Sequence, residues 1–197
     1  ALRLAYGIIY PNGADYPDAR SFDSLAWNLA VNGQYGVEAP TAARPPAYVL
    51  FLAGIYKFAG HSNAAAFAAQ ALLGTLLVFI LMRISRRLSD RPELPAITGL
   101  LAAFYPFFIF YENQLLADAF LTFMTSLSLL LFIRWKESPL SWPRAVACGL
   151  ALSATALTKI PMIAWAALIF LTEMILLRRQ SDRPARFMRI LSAVLAF

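Results

Sequence analysis

The chain of 197 residues is strongly apolar: 60% of its residues are hydrophobic, 14% are charged, and the mean hydropathy is +0.61. Soluble domains carry roughly 25% charged residues, so this composition predicts an all-α bundle of transmembrane helices rather than a soluble core. Much of the net charge of +6 comes from basic clusters between apolar runs, at 83–91, 134–144 and 178–189. Such clusters are typical of cytoplasmic loops, so the charge indicates topology and no nucleic-acid partner is expected. The single cysteine, Cys148, excludes an internal disulfide.

Both ends of the sequence are expected to lie within transmembrane helices. Residues 1–10 form an apolar run that is shorter than the roughly 20 residues needed to cross a bilayer. The turn signal Pro11-Asn12-Gly13 closes this run, and residues 187–197 stop partway through another. We therefore expect residues 1–197 to be the N-terminal part of one larger transmembrane domain.

Residues 15–60, which begin with a polar segment at 15–46, are predicted to form the first loop on the outer side of the membrane. Within it, apolar residues at helical spacing predict an amphipathic helix that Ser21 caps and Asn32-Gly33 ends. Such a helix lies along the membrane surface or against the bundle rather than across the bilayer. Asp18 is expected just before its first turn, and Asp23 is expected within that turn, where a carboxylate also favours the helix dipole.

The second half of this loop contains a double proline. Pro45-Pro46 stiffens the backbone and is expected to hold Arg44 at a fixed point before a short apolar helix at 47–59. The other acids of the loop and the histidine that follows it are predicted to be solvated or interfacial groups without chemistry: Asp15, Asp23, Glu38 and His61.

Longer apolar runs follow, and they are predicted to cross the membrane: 62–82, 94–111 and 115–133. Pro106 is expected to kink the second of these spans. Tryptophans at the ends of the next basic loop, Trp135 and Trp142, are predicted to be interfacial anchors.

The apolar stretch at 145–177 lies between two basic loops, so an even number of crossings is expected there. Two helices of about 15 residues would each rise about 22 Å, which is short of the hydrocarbon core of about 30 Å. The turn at 158–161 would then lie below the outer surface, with Lys159 in a recess. A single overlong helix is the alternative.

Successive spans cross the membrane in opposite directions, and the basic loops are expected on the cytoplasmic side. The outer side is therefore predicted to carry Asp18, Arg44, Glu112, Asp118 and Lys159. Carboxylates and cations at a lipid boundary suit group transfer from a lipid phosphate, because a leaving phosphate needs neutralisation of its charge more than a general acid. Arg44 and Lys159 could bind that phosphate, and Asp18 is suitably placed as a base. Asp118 could share a divalent metal or orient the acceptor. Arg44 or Lys159 could instead extend to lipid head groups. Independently of this, Glu112 could replace Asp118 as the second acid.

Six sequence pieces occur in a characteristic order: Asp18-Ala19-Arg20-Ser21-Phe22, Pro40-Thr41-Ala42-Ala43-Arg44-Pro45-Pro46-Ala47-Tyr48, Gln70-Ala71-Leu72-Leu73, Tyr105-Pro106, Leu115-Leu116-Ala117-Asp118 and Leu157-Thr158-Lys159. By these pieces the chain resembles bacterial GT-C glycosyltransferases of the protein O-mannosyltransferase and lipid A aminoarabinose transferase group. The resemblance implies an inverting enzyme of the inner (plasma) membrane. It would move a sugar from a polyprenyl-phosphate donor to a lipid, glycan or protein acceptor on the extracytoplasmic side.

The resemblance also implies roles for individual residues. Asp18 matches the catalytic aspartate of the first outer loop and Asp118 the second acidic position, and both are candidate ligands of a divalent cation, Mg²⁺ or Mn²⁺. Arg44 matches the basic residue before the double proline and, with Lys159, is expected to bind the donor phosphate. Additional candidates are Glu112 and Arg20.

Two other functions are compatible with charges inside an apolar chain. A lipid or sugar transporter or flippase would place charges in the bilayer, but such proteins usually carry inverted repeats, and no internal repeat is seen here. A non-catalytic membrane assembly subunit would retain its function after Asp18→Asn, whereas an enzyme would lose turnover.

Overall fold

The computed structural model describes residues 2–9, 16–36, 44–138 and 141–178, which are mostly helical, so the all-α prediction is confirmed. The chain divides into two compact units, Ala1–Phe123 (unit 1) and Met124–Phe197 (unit 2). Several predictions lie outside the described residues: the turn at 11–13, the loop acids Asp15 and Glu38, and the last apolar run at 187–197. The assignment of the chain to one larger domain stays a prediction.

The described helices of unit 1 are α1 (Leu2–Ile9), α2 (Pro17–Asn32), α3 (Pro46–Ala59), α4 (Asn63–Leu88), α5 (Leu94–Phe104), α6 (Pro106–Glu112) and the beginning of α7 (Ala117–Lys136). Helix α2 packs mainly against α3, and α4 packs mainly against α5. The buried face of α2 is formed by Ala19, Phe22, Leu25 and Ala26. The two helices of the predicted outer loop therefore form one packed pair.

Helix α2 begins earlier than the sequence predicts. Its first residue is Pro17, after Tyr16 in an extended conformation, and Ser21 lies inside the helix, so the prediction that Ser21 caps it is wrong. Proline suits the first helical position because its φ is already helical and its missing N–H is not needed there. Gly33, with φ of 68°, ends the helix as predicted. Asp18 consequently lies in the first turn of α2.

Two helices are long and apolar enough to cross a membrane within the described ranges, α4 with 26 residues and α7 with 20. Helices α5 and α6 meet the same criterion only as a pair, which is bent by 51° at its break. These elements correspond to the predicted spans, and the bend confirms the predicted kink at Pro106. Helix α3 is apolar but has only 14 residues, as expected for a helix that does not span.

The bend between α5 and α6 frees backbone acceptors that α1 then uses. Pro106 has no N–H, so the helical hydrogen bond to the carbonyl of Ala102, four residues earlier, cannot form. The Arg3 side chain takes this acceptor: its Nη2 donates to the Ala102 carbonyl at 3.0 Å and to the Ala103 carbonyl at 3.5 Å. A buried guanidinium therefore attaches α1 to the bend.

Unit 2 contains the rest of α7, followed by α8 (Trp142–Ala156), a 3-10 turn (Ile160–Met162) and α9 (Ile163–Arg178). Residues 157–159 interrupt the helix, so the alternative of a single overlong helix is wrong. Cys148 and Leu152 of α8 pack in one cluster with Ile169 of α9. Two short helices occupy this stretch, as predicted, and the structure shows that they pack against each other.

Trp135 is a core residue of unit 2, and the prediction that it is an interfacial anchor is wrong. Its side chain is fully buried against Ala145 and Phe132. The guanidinium of Arg144 also donates to the carbonyl of Arg134 at 3.1 Å. The start of α8 thus lies against the end of α7 and covers the indole.

Candidate functional site

Asp18 and Arg44 form an ion pair at the N-terminal end of α2. Nη2 of Arg44 lies 2.5 Å from Oδ1 of Asp18, and the two side chains are 28% and 61% exposed, respectively. The position of Asp18 in the first turn also lets the helix dipole stabilise its negative charge. The structure therefore brings together the predicted base and the predicted phosphate-binding residue, and both are accessible.

Three neighbours fix the position of Arg44. Its Nε donates to the hydroxyl of Ser21 at 3.3 Å, and its guanidinium carbon lies 5.1 Å from the centre of the Phe22 ring, within cation–π range. Its backbone carbonyl accepts a hydrogen bond from the Tyr35 hydroxyl at 2.7 Å. Burial raises the pKa of Tyr35, so the phenol keeps the proton that it donates. Arg44 is held at both its backbone and its side chain.

Aromatic rings connect this pair to the first turns of α7. Phe22 of α2 meets Tyr48 of α3 edge-on, with ring centres 5.1 Å apart, and Tyr48 lies 6.0 Å from Phe120 of α7. Phe51 of α3 packs 5.0 Å from the same Phe120 ring. Burial, followed by the charges of neighbours that include Asp118, raises the pKa of Tyr48. The second predicted acid therefore lies on the helix turn that packs against α3.

Glu112 belongs to a buried polar network in unit 1. Its Oε1 accepts a hydrogen bond from Arg3, and only 2% of its side chain is exposed. Gln70 of α4 donates to the backbone carbonyls of Glu112 and Gln114, each at 2.9 Å, and accepts from the Tyr48 hydroxyl at 2.8 Å. This network fixes the segment that leads from α6 into the acid-bearing first turn of α7.

Asp23 is predicted to be a solvated surface charge, and this prediction is wrong. The Tyr56 hydroxyl donates to Asp23 Oδ1 at 2.6 Å, and Nε2 of His61 lies 2.9 and 3.0 Å from the two carboxylate oxygens. Because an ionised carboxylate only accepts, Nε2 carries the hydrogen. The Trp27 ring stacks on the imidazole at 4.8 Å. This cluster ties the middle of α2 to the end of α3 and the turn that follows it.

The structure also describes two further predicted site residues, Lys159 and Arg20. Lys159 belongs to unit 2, where it is half-buried in the break between α8 and the 3-10 turn. Arg20 is exposed on α2. Their roles in phosphate binding stay predictions.

The described residues offer few protein ligands for a metal. No group of three or more His, Cys, Asp or Glu side chains in these parts of the chain lies close enough together to hold an ion. Mg²⁺ often uses one or two carboxylates and completes its shell with water and substrate phosphate. The carboxylates of unit 1 therefore suit a cation only if the donor phosphate binds it as well. Asp18 is paired with Arg44, so a cation at this carboxylate would have to compete with the guanidinium.

Four residues organise the site without having been predicted from the sequence to do so: Arg3, Gln70, Asp23 and His61. A signal for the first two exists in the sequence, because a charged or amide side chain inside an apolar run is costly in a membrane unless it has a partner. No comparable local signal marks the pairing of Asp23 with His61, which are 38 positions apart.

Comparison with protein families matches residues 43–197 to the dolichyl-phosphate-mannose-protein mannosyltransferase family. The match includes Arg44, Glu112, Asp118 and Lys159, whereas Asp18 precedes it. Neither the curated proteins nor the solved structures contain a significant match to the chain. Because the family match covers most of the chain, and the chain carries apolar helices long enough to span a membrane, the protein belongs to the dolichyl-phosphate-mannose-protein mannosyltransferase family of membrane glycosyltransferases.

Proposed function

We propose that the protein transfers a sugar from a polyprenyl-phosphate donor to an acceptor on the extracytoplasmic face of the inner (plasma) membrane. The observation that carries this proposal is the Asp18–Arg44 ion pair at the accessible start of α2. Such a transfer needs a base for the acceptor and a cation for the leaving phosphate, and the pair contains one of each. The family name, which describes transfer from a lipid phosphate to protein, supports the class of donor.

In the proposed reaction the donor phosphate first displaces the Asp18 carboxylate from Arg44. Phosphate oxygens match the guanidinium fork and make strong charge-assisted hydrogen bonds with it. The acceptor hydroxyl or amine then attacks the anomeric carbon. Its bond to that carbon forms while the bond from the carbon to the phosphate oxygen breaks, and the electron pair stays on the phosphate. Asp18 accepts the proton of the acceptor, and the single displacement inverts the anomeric configuration.

Arg44 stabilises the charge that develops on the departing polyprenyl phosphate. Because Ser21 and Phe22 already orient its guanidinium, little reorganisation is needed when that charge appears. Lys159 is included as a second phosphate-binding cation on the basis of its charge, and Asp118 as the acid that orients the acceptor. A divalent Mg²⁺ or Mn²⁺ ion held by Asp118 would supply additional neutralisation of the phosphate.

The test of this function compares the wild-type protein with Asp18→Asn in native-like membranes, with polyprenyl-phosphate mannose as the donor. We expect turnover to fall by about 10²- to 10⁴-fold, the usual contribution of a general base, while donor binding persists. Asp90→Asn, at an exposed position between α4 and α5, is the matched control. Equal turnover in wild type and Asp18→Asn would overturn the role of Asp18. A wild type that neither binds nor turns over this class of donor would overturn the proposed function.

A further inference from the structure

A cavity of about 210 Å³ lies inside unit 1 between α4, α6 and the first turns of α7. Its wall combines aromatic rings with oxygen-bearing side chains: Phe107, Phe108, Tyr111, Glu112, Asp118 and Thr122. A lining of this kind is mixed in character, because the rings offer apolar faces and the carboxylates accept hydrogen bonds. The ligand that fits it has apolar C–H faces and several hydroxyl donors.

One carboxylate oxygen of this wall is unsatisfied. Oε1 of Glu112 is engaged by Arg3, whereas Oε2 is buried without a hydrogen-bond partner in the described residues. A buried acceptor left unpaired costs about 1–3 kcal/mol, and more if it is charged. Folded proteins rarely retain such a group without a structural or functional reason. A hydrogen-bond donor on a ligand in the cavity would remove this cost.

The surroundings of Glu112 hold the unsatisfied oxygen in a defined place. Arg3 fixes one side of the carboxylate, and Gln70 fixes the backbone of Glu112 through its carbonyl. Helix α4 makes room for the ion pair at Gly74, where a Cβ would collide with both the carboxylate and the guanidinium. Glu112 therefore presents a preorganised acceptor rather than a mobile surface charge.

We propose that this cavity binds the sugar ring of the lipid-linked donor, with Oε2 of Glu112 accepting a hydrogen bond from a sugar hydroxyl. The proposal rests on the proposed function and deepens it, because it assigns the sugar and the phosphate of one donor to different residues. A cavity of roughly 150 Å³ accommodates one benzene ring, so 210 Å³ suits a single monosaccharide ring. The polyprenyl chain has no donor for Glu112 and is far too long for this volume.

The experiment measures how the intact protein in membranes binds two probes, polyprenyl-phosphate mannose and the same polyprenyl phosphate without sugar. Glu112→Gln replaces the acceptor by an amide of similar size. Ala119→Leu instead narrows the cavity and leaves the Arg3–Glu112 pair intact. The control is Ala68→Leu on the exposed face of α4. We expect each cavity variant to weaken binding of the mannose-bearing probe about tenfold, equivalent to about 1.4 kcal/mol, with binding of the sugar-free probe unchanged.

The sugar-free probe also reports whether each variant is folded. If the Glu112→Gln protein misfolds and binds neither probe, the Ala119→Leu protein alone tests whether the cavity binds the sugar. Equal losses for the two probes in Ala119→Leu, or no loss at all, would overturn the sugar site. A wild type that binds both probes equally would overturn the sugar site and leave the donor phosphate site standing. A wild type that binds neither probe would overturn the proposed function itself, and the sugar site with it.

Discussion

The Arg44 side chain is fixed by its neighbours although it is only partly buried. Ser21 and Phe22 orient its guanidinium, Asp18 neutralises it, and Tyr35 holds its backbone. Lysine cannot reproduce this arrangement, because an ammonium group has no planar face for a ring and no fork for a phosphate. The geometry therefore specifies arginine, whereas a positive charge alone does not.

Arg44→Lys is expected to lower kcat/KM for the polyprenyl-phosphate donor by about tenfold to a hundredfold. This range corresponds to the loss of a charge-assisted hydrogen bond, about 1.5–3 kcal/mol. Steady-state kinetics on the membrane-embedded protein measure the effect. Arg91→Lys, in the exposed turn between α4 and α5, is the control with the same chemical change. Similar losses in the two variants would contradict a specific role for the guanidinium.

Gly74 and Gly54 are both inside helices but differ in how closely they are packed. A Cβ at Gly74 would overlap with the Glu112 carboxylate and the Arg3 guanidinium, whereas nothing lies within 4 Å of a Cβ at Gly54. We expect Gly74→Ala to destabilise the protein by about 1–3 kcal/mol through overpacking. Gly54→Ala is expected to be neutral or slightly stabilising, because alanine favours a helix by about 1 kcal/mol. Thermal unfolding in detergent compares the two, and equal midpoints would contradict the close packing at Gly74.

At the scale of elements, α2 is attached to the rest of unit 1 at two places. Its first turn pairs with Arg44 through Asp18, and its middle is held through Asp23 by Tyr56 and His61. Only the first attachment has to open when a donor phosphate takes Arg44. The second can therefore keep the helix in position while Asp18 is released for proton transfer.

Asp23→Asn is expected to loosen α2 because it removes the charge that faces His61. Hydrogen bonds to charged groups contribute about 1.5–3 kcal/mol, so backbone amides in α2 should exchange with deuterium about tenfold faster or more. Mass-spectrometric hydrogen exchange on the intact protein measures this change, with Ser24→Ala on the exposed side of the same helix as the control. Unchanged exchange in α2 would show that the helix is held by its apolar face alone.

At the scale of the whole molecule, the sequence predicts most of what depends on near neighbours along the chain. The end of α2 at Gly33 and the bend at Pro106 are set by local backbone chemistry, and both were predicted. The break at 157–159 was predicted from the basic loops on either side of this stretch. The start of α2 was misplaced because a serine cap and an N-terminal proline compete as signals. The partners of Arg3 and Glu112 could not be predicted, since they are 109 positions apart and meet only through packing.

The ion pair between Arg3 and Glu112 gives a prediction about stability. Arg3→Met leaves the buried Glu112 carboxylate unpaired, and breaking a buried pair in this way costs about 3–5 kcal/mol. Arg3→Met combined with Glu112→Gln removes both charges and should recover a large part of that loss. Thermal unfolding of the two single variants and the double variant in detergent measures their coupling. If the loss of stability in the double variant equalled the sum of the losses in the two single variants, the two side chains would not stabilise each other.

The contact between Arg3 and the bend at Pro106 links the evolution of two distant positions. Proline at 106 removes the backbone donor for the Ala102 carbonyl, and the Arg3 guanidinium supplies a substitute from another helix. A relative that replaces this proline would close its own helical hydrogen bond, and its arginine would keep only the ion pair with Glu112 as a strong contact. Substitutions at the two positions should therefore be correlated among relatives that share helix α1, with arginine more frequent alongside proline.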